Sequence, residues 1–250
     1  MSAMVASRPA LAARVLALLD LTSLGEDDTP EQIEALCARA RAARVLPAAL
    51  CIYPEHVTTV RRALRGSPIK VAAVVNFPDG SADSMRISRE TRRALAAGAD
   101  EIDLVFPYHA YLHGNELLAA RAIAACRHLC RAGVILKLIL ETGELGCTES
   151  IARASRIGID GGVDFLKTST GKGPINASPA AVVAVLDAIA KAGGDCGLKV
   201  SGGICTLADA ITYLDLVASR MGAAWITPTH FRIGASLLFG ELTAALNEAE

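Results

Sequence analysis

The chain has 250 residues, 52% of them hydrophobic, a net charge of −1 and seven cysteines. That is enough core for one α/β barrel of about 250 residues. It gives no bulk attraction for nucleic acid or anionic membrane, and no run nears the roughly 18 apolar residues of a membrane span. An odd cysteine count without zinc spacing fits a reduced, cytoplasmic setting, and residues 11–19, interrupted by Arg14 and closed by Asp20, read as the first structured segment and not as a signal peptide.

In chain order, apolar strand-like runs fall at 15–21, 49–53, 70–77, 101–106, 134–141, 164–168, 197–201 and 223–227. Between them, helical stretches are expected at 30–43, 54–65, 84–97, 115–131, 148–157, 179–192, 206–218 and 234–248. Thr29-Pro30 and Ser178-Pro179 read as N-caps with proline at the first helical position. Gly98 and Gly133 read as left-handed stops. Eight β then α units without a linker or a break in composition predict one domain over 1–250, a (β/α)8 TIM barrel. A doubly wound open sheet is the alternative, but the turn after its first strand would carry a Gly-rich fingerprint, and here it reads Asp20-Leu21-Thr22-Ser23-Leu24.

Barrels place their chemistry at the carboxyl ends of strands, and the unusual polar residues sit there. Asp20 and Thr22 end the first run, Asn76 the third, Asp103 lies in the fourth and Glu141 ends the fifth. Lys167 and Lys199 occupy the sixth and seventh, where a core calls for Val or Ile. Of 25 basic residues only six are lysine and the other 19 are arginine, yet lysine is the cation kept inside apolar strands. An ammonium can lose its proton when desolvated and attack a carbonyl, whereas a guanidinium cannot. The period of two also puts Lys137 on an inward face, where it needs carboxylate partners; Asp20, Asp103 and Glu141 are the supply.

Lys167 is the candidate Schiff-base nucleophile. Its ordinary pKa of about 10.4 must fall, and burial beside a second cation, Lys199, lowers it. A single strand lysine is more often half of a structural ion pair; two on adjacent strands with Asp103 at hand shift the balance toward chemistry. Asp103 is the candidate proton-transfer group, and Glu101, of the same parity but two residues lower, reads as an ion-pair partner near the strand entrance. Asp20 could orient a water or a lysine. Three small-residue turns suit a phosphate: Thr170-Gly171-Lys172-Gly173, Ser201-Gly202-Gly203 and Gly234-Ala235-Ser236, the last read as opening the final helix. Any one of them could be plain turn chemistry; three together with Lys172 favour an anion site. Gly171-Lys172 is no Walker A loop, because Gly173 stands in the Ser/Thr place. His109 and His113 have i, i+4 spacing but read as a solvated pair, so no metal and no cofactor is expected.

Asp20-Leu21-Thr22, Asn76-Phe77-Pro78-Asp79-Gly80, Gly98-Ala99-Asp100-Glu101-Ile102-Asp103, Glu141-Thr142-Gly143-Glu144-Leu145, Lys167-Thr168-Ser169-Thr170-Gly171-Lys172 and Gly234-Ala235-Ser236 together resemble deoxyribose-phosphate aldolase, in family order across nearly the whole chain. The resemblance implies a class I aldolase that reversibly cleaves 2-deoxy-D-ribose 5-phosphate, between C2 and C3, into acetaldehyde and D-glyceraldehyde 3-phosphate. It puts the Schiff-base lysine at Lys167, the activating lysine at Lys199 and the proton-transfer aspartate at Asp103. Phosphate contacts fall on Gly171, Lys172, Gly202, Gly203, Gly234 and Ser236, with small sugar phosphates and aldehydes as partners and a homodimer as the common assembly. The chain differs in having Leu237 where relatives carry a second serine, Val200-Ser201 where many have Pro-Ala, and Asn247-Glu248-Ala249-Glu250 where some end in tyrosine. The rival readings are another Schiff-base barrel, transaldolase-like or a dehydratase, and a silent sugar-phosphate-binding barrel.

Overall fold

The computed structural model describes residues 7–248. Helix α1 (Arg8–Ala17) leads into β1 (Leu19–Thr22), followed by α2 (Pro30–Ala42), β2 (Ala49–Ile52), a 3₁₀ turn at Pro54–His56, α3 (Val57–Ala63) and β3 (Lys70–Val75). Next come α4 (Ser84–Ala97), β4 (Glu101–Val105), α5 (Tyr108–Leu112), α6 (Glu116–Leu129), β5 (Ile135–Ile139), α7 (Thr142–Leu145) and α8 (Thr148–Asp160). The chain closes with β6 (Phe165–Lys167), α9 (Pro179–Lys191), β7 (Gly197–Ser201), α10 (Leu207–Met221), a 3₁₀ turn at Ala223–Trp225, β8 (Phe231–Ala235) and α11 (Leu238–Asn247). The eight strands form a closed barrel in sequence order, every neighbouring pair parallel. This is the (β/α)8 architecture that the alternation of elements predicts.

The helix starts follow local chemistry. Thr29 caps α2 in a full capping box with Gln32, with Pro30 behind it, and Ser178 caps α9 by accepting from the Ala181 N–H. Gly98 ends α4 in the left-handed region at φ 102°. Gly133 also has positive φ, at 92°, but α6 stops at Leu129 and the glycine serves the turn beyond it.

Three boundaries differ most from the sequence expectation. The eighth strand is not 223–227: Ala223–Trp225 is a 3₁₀ turn whose Trp225 indole N–H donates to the Gly194 carbonyl at 3.0 Å. The strand is Phe231–Ala235, disguised by an arginine and by small residues that break up a continuous apolar run. Consequently Gly234-Ala235 end β8 and do not open the last helix, which begins at Leu238. Residues 15–17 belong to α1, capped by Ser7 with a proline in its first turn, and not to the first strand.

The register sets the charged layer. Lys167 pairs with Lys199, Lys199 with Arg232, and Asp103 with Lys137, so cations and acids from five strands meet inside the barrel. Asp20 of β1 lies opposite Gly234 of β8. A Cβ at Gly234 would come within 2.9 Å of Lys199 Cε, so glycine there makes room for the lysine stem.

Candidate active site

Seven ionisable side chains form one buried network. Lys199 Nζ lies 2.8 Å from Asp103 Oδ2 and 2.7 Å from Asp20 Oδ2. Lys167 Nζ lies 3.0 Å from the same Asp103 Oδ2. Lys137 Nζ contacts Asp103 Oδ1 at 2.9 Å, Asp20 Oδ2 at 3.0 Å and Glu101 Oε2 at 2.5 Å. Arg232 completes the set, with Nη1 2.7 Å from Asp20 Oδ1 and Nη2 3.3 Å from Glu101 Oε1. Cys51 Sγ, 3.6 Å from Asp103 Oδ2, is a further neighbour; burial raises its pKa, so it adds no charge.

Counting charges decides protonation. Among the described residues Lys137, Lys167, Lys199 and Arg232 form ion pairs only with Asp20, Glu101 and Asp103, and an unmatched charge at this depth costs several kcal/mol. One cation must shed its proton, and the surroundings select Lys167. Burial and then the neighbouring Lys199 charge pull its pKa down, against the weaker pull of Asp103. Burial also opposes charge on Lys199 and Lys137, but two carboxylates beside the first and three beside the second outweigh it and hold both ammonium groups above their ordinary values. Asp103 and Asp20 are buried too, yet the lysines around them keep both carboxyls well below the usual range.

The network explains the cost of removing a member. Arg232→Leu leaves Asp20 and Glu101 each short of a donor inside the barrel. The variant is expected to lose about 3–5 kcal/mol of unfolding free energy in urea denaturation at neutral pH; a loss under about 1 kcal/mol would show that the guanidinium is not needed to hold those acids.

Above the network lies a cleft of about 370 Å³ at the carboxyl ends of the strands. Of the four buried cations only Lys167 lines it; Lys137, Lys199 and Arg232 lie beneath. Thr22, Thr170, Gly171, Lys172, Gly202, Gly203, Gly234 and Ser236 also line it. Asp103 and Asp20, fully buried, belong to the layer below. The turns after β6 and β7 touch, a Cβ at Gly171 falling 4.0 Å from Gly202 Cα. Gly202 and Gly203 have φ of 91° and 78°, a conformation that glycine adopts without strain. Among the described residues the N–H groups of Gly171, Gly202, Gly203 and Ser236 donate to no protein acceptor. They and the exposed Lys172 make a pocket suited to an oxyanion. Leu237, 72% exposed, stands at the rim.

Glu141, a candidate partner for the lysines, bonds Thr170 instead, and Glu101 takes its place beside Lys137. Arg232 escaped the sequence reading, although it shares parity with Gly234; placing the last strand at 223–227 hid it. Among the described residues no three His, Cys, Asp or Glu side chains are grouped to hold a metal ion, and His113 spends its ring Nδ1 on the His109 carbonyl at 2.7 Å. No helix among them is long and apolar enough to cross a membrane.

A closed parallel barrel with a lysine opening into an oxyanion-suited cleft at its carboxyl face defines an enzyme of the (β/α)8 class. The chain belongs to the DeoC/LacD family of aldolases, whose family model matches residues 14–237. It is similar to a protein from Toxoplasma gondii ME49 provisionally assigned as a deoxyribose-phosphate aldolase, at 25% identity over 97% of this chain and 96% of that one, with a TM-score of 0.88. A protein of the same provisional assignment from Coccidioides immitis is 27% identical over 92% of this chain and 86% of that one, TM-score 0.80. The deoxyribose phosphate aldolase of Aeropyrum pernix, described as tetrameric, shares the fold at 24% identity and TM-score 0.75, over 98% of this chain and 94% of that one.

Proposed function

We propose that the chain cleaves 2-deoxy-D-ribose 5-phosphate reversibly through a lysine Schiff base. The observation that supports this reading best is that the one cation left over in the buried charge count is also the one that borders the cleft. The free Lys167 amine attacks C1 of the open-chain sugar phosphate. A proton relayed through Asp103, Lys199 and water lets the carbinolamine hydroxyl leave as water, giving an iminium. The C3 hydroxyl then surrenders its proton, the C2–C3 electron pair moves toward the iminium, and D-glyceraldehyde 3-phosphate departs. The enamine left on Lys167 takes a proton at C2, and water hydrolyses the resulting iminium, releasing acetaldehyde and the free amine. The 5-phosphate sits against Gly171, Lys172, Gly202, Gly203 and Ser236. Gly234 admits the Lys199 stem, Thr22 and Thr170 border the sugar, and Asp20 acts from below by fixing the Lys199 ammonium.

Borohydride trapping tests this. Incubation with acetaldehyde or the sugar phosphate, reduction and peptide mass mapping are expected to find one reduced adduct, on Lys167. An adduct on Lys199 would exchange the two lysine roles. No adduct, from folded protein that still binds the sugar phosphate, would leave a silent binding barrel; an adduct with other products would indicate a different Schiff-base barrel.

A further inference from the structure

Glu141 carries two costs that the reaction above leaves unexplained. It follows β5 in the left-handed region, at φ 55° and ψ 63°, where a residue with a Cβ is strained. It is also a carboxylate only 3% exposed, with Oε1 lacking a protein donor among the described residues. Burial pushes its pKa up, against the hydrogen bonds from Thr170. A strained backbone and a half-satisfied buried acid at one residue point to a task that this geometry performs.

The task is visible in its bonds. Glu141 Oε2 accepts both donors of Thr170, the backbone N–H at 3.1 Å and the hydroxyl at 2.5 Å. Thr170 Oγ1 in turn accepts the Lys172 backbone N–H at 3.1 Å. The hydroxyl is therefore used as donor and as acceptor, and two of the three N–H groups of the turn at 170–172 point inward. The Gly171 N–H and the Lys172 side chain are left for the cleft. Gly173 lies over the acid, where a Cβ would meet Glu141 Oε1 at 3.8 Å, so the turn continues across the carboxyl group.

We propose that Glu141 is the positioning residue of the oxyanion-binding turn. It fixes Thr170 as a strut, so that Gly171 and Lys172 meet the substrate phosphate beside Gly202 and Gly203, and the Thr170 hydroxyl does not itself donate to the phosphate. This deepens the aldolase reading and rests on it. The strut needs an acceptor oxygen at Oε2 and not a negative charge, so glutamine replaces it and alanine does not.

The test measures KM and kcat for the sugar phosphate, and the inhibition constant of inorganic phosphate, in wild type, Glu141→Ala, Glu141→Gln and Thr170→Val. Loss of two hydrogen bonds from one acceptor predicts KM and the phosphate inhibition constant both raised about 10-fold or more in Glu141→Ala, with kcat changed less than about 3-fold. Glu141→Gln is expected to return both constants to within about 3-fold of wild type, and Thr170→Val to move them in the direction of the alanine variant. If Glu141→Ala does not fold, the glutamine and valine variants decide alone. Unchanged constants in Glu141→Ala, or in Thr170→Val where alanine does not fold, would overturn the proposal. So would a glutamine variant outside that limit, or a fall in kcat with KM unmoved, which would make Glu141 a proton-transfer group. Wild-type trapping with acetaldehyde, which carries no phosphate, reports separately on the aldolase reading.

Discussion

Lys167→Leu is expected to abolish sugar-phosphate cleavage while the barrel stays folded. Removing a covalent nucleophile deprives the reaction of its electron sink, and losses of roughly 10⁴-fold or more follow when such a group is deleted. Folding survives for a reason peculiar to this interior. With Lys167 gone, Lys137, Lys199 and Arg232 face Asp20, Glu101 and Asp103, three charges against three, and Asp103 keeps bonds from Lys199 and Lys137. Leucine fills a similar volume at this buried position, and a balanced network with an apolar neighbour is no less stable than the original. Turnover is read with an assay coupled to the released triose phosphate, and folding by thermal melting. Appreciable turnover in the folded variant would remove Lys167 from the mechanism, whereas a melting point lowered by more than about 10 °C would show that the amine is part of the structural network.

What could be read from the sequence, and what could not, divides along a physical line. Lysines within apolar runs stand out because the core excludes them unless something balances their charge, so Lys137, Lys167 and Lys199 were visible without a fold. Asp103 and Glu101 were visible for the same reason; they share one face of the strand, and the two-residue offset along it separated the acid at the centre of the network from the one nearer the entrance. The eighth strand was not visible. Phe231-Arg232-Ile233-Gly234-Ala235 lacks the continuous apolar run of a buried parallel strand, because Arg232 is held inside by two carboxylates from strands distant in sequence, and Gly234 is small to admit Lys199. Both requirements are tertiary, and no local propensity encodes them. Ala223–Trp225 drew the assignment instead by its apolar composition, although Ala223 and Ala224 are exposed and it is the Trp225 indole that ties the turn to Gly194. Glu141 misled in a different way: a strand-end acid next to lysines looks like their counterion, and only the left-handed backbone turns its carboxylate to Thr170.

The charge count also predicts how Lys199 works, and a single variant separates activation from direct participation. In Lys199→Met the interior retains Lys137, Arg232 and Lys167 against the same three acids, and balance now requires Lys167 to be charged. The repulsion that lowered its pKa is gone, and Asp103 Oδ2, relieved of the bond from Lys199 at 2.8 Å, is left to Lys167 at 3.0 Å. Every unit by which the Lys167 pKa rises removes tenfold of the free amine at a fixed pH below it. Lys199→Met is therefore expected to lose about 10²- to 10⁴-fold in kcat/KM near pH 7. Its acidic limb moves alkaline, so part of the activity returns as the pH is raised. Borohydride with acetaldehyde still labels Lys167 in this variant, slowly at neutral pH and faster at high pH, which Lys167→Leu does at no pH. The measurement is the pH profile of kcat/KM together with the pH dependence of trapping. A uniform loss without displacement of the acidic limb would mean that Lys199 moves protons itself and does not set the charge state of its neighbour. A displaced limb with recovered trapping would make the buried ion network the device that keeps one amine neutral.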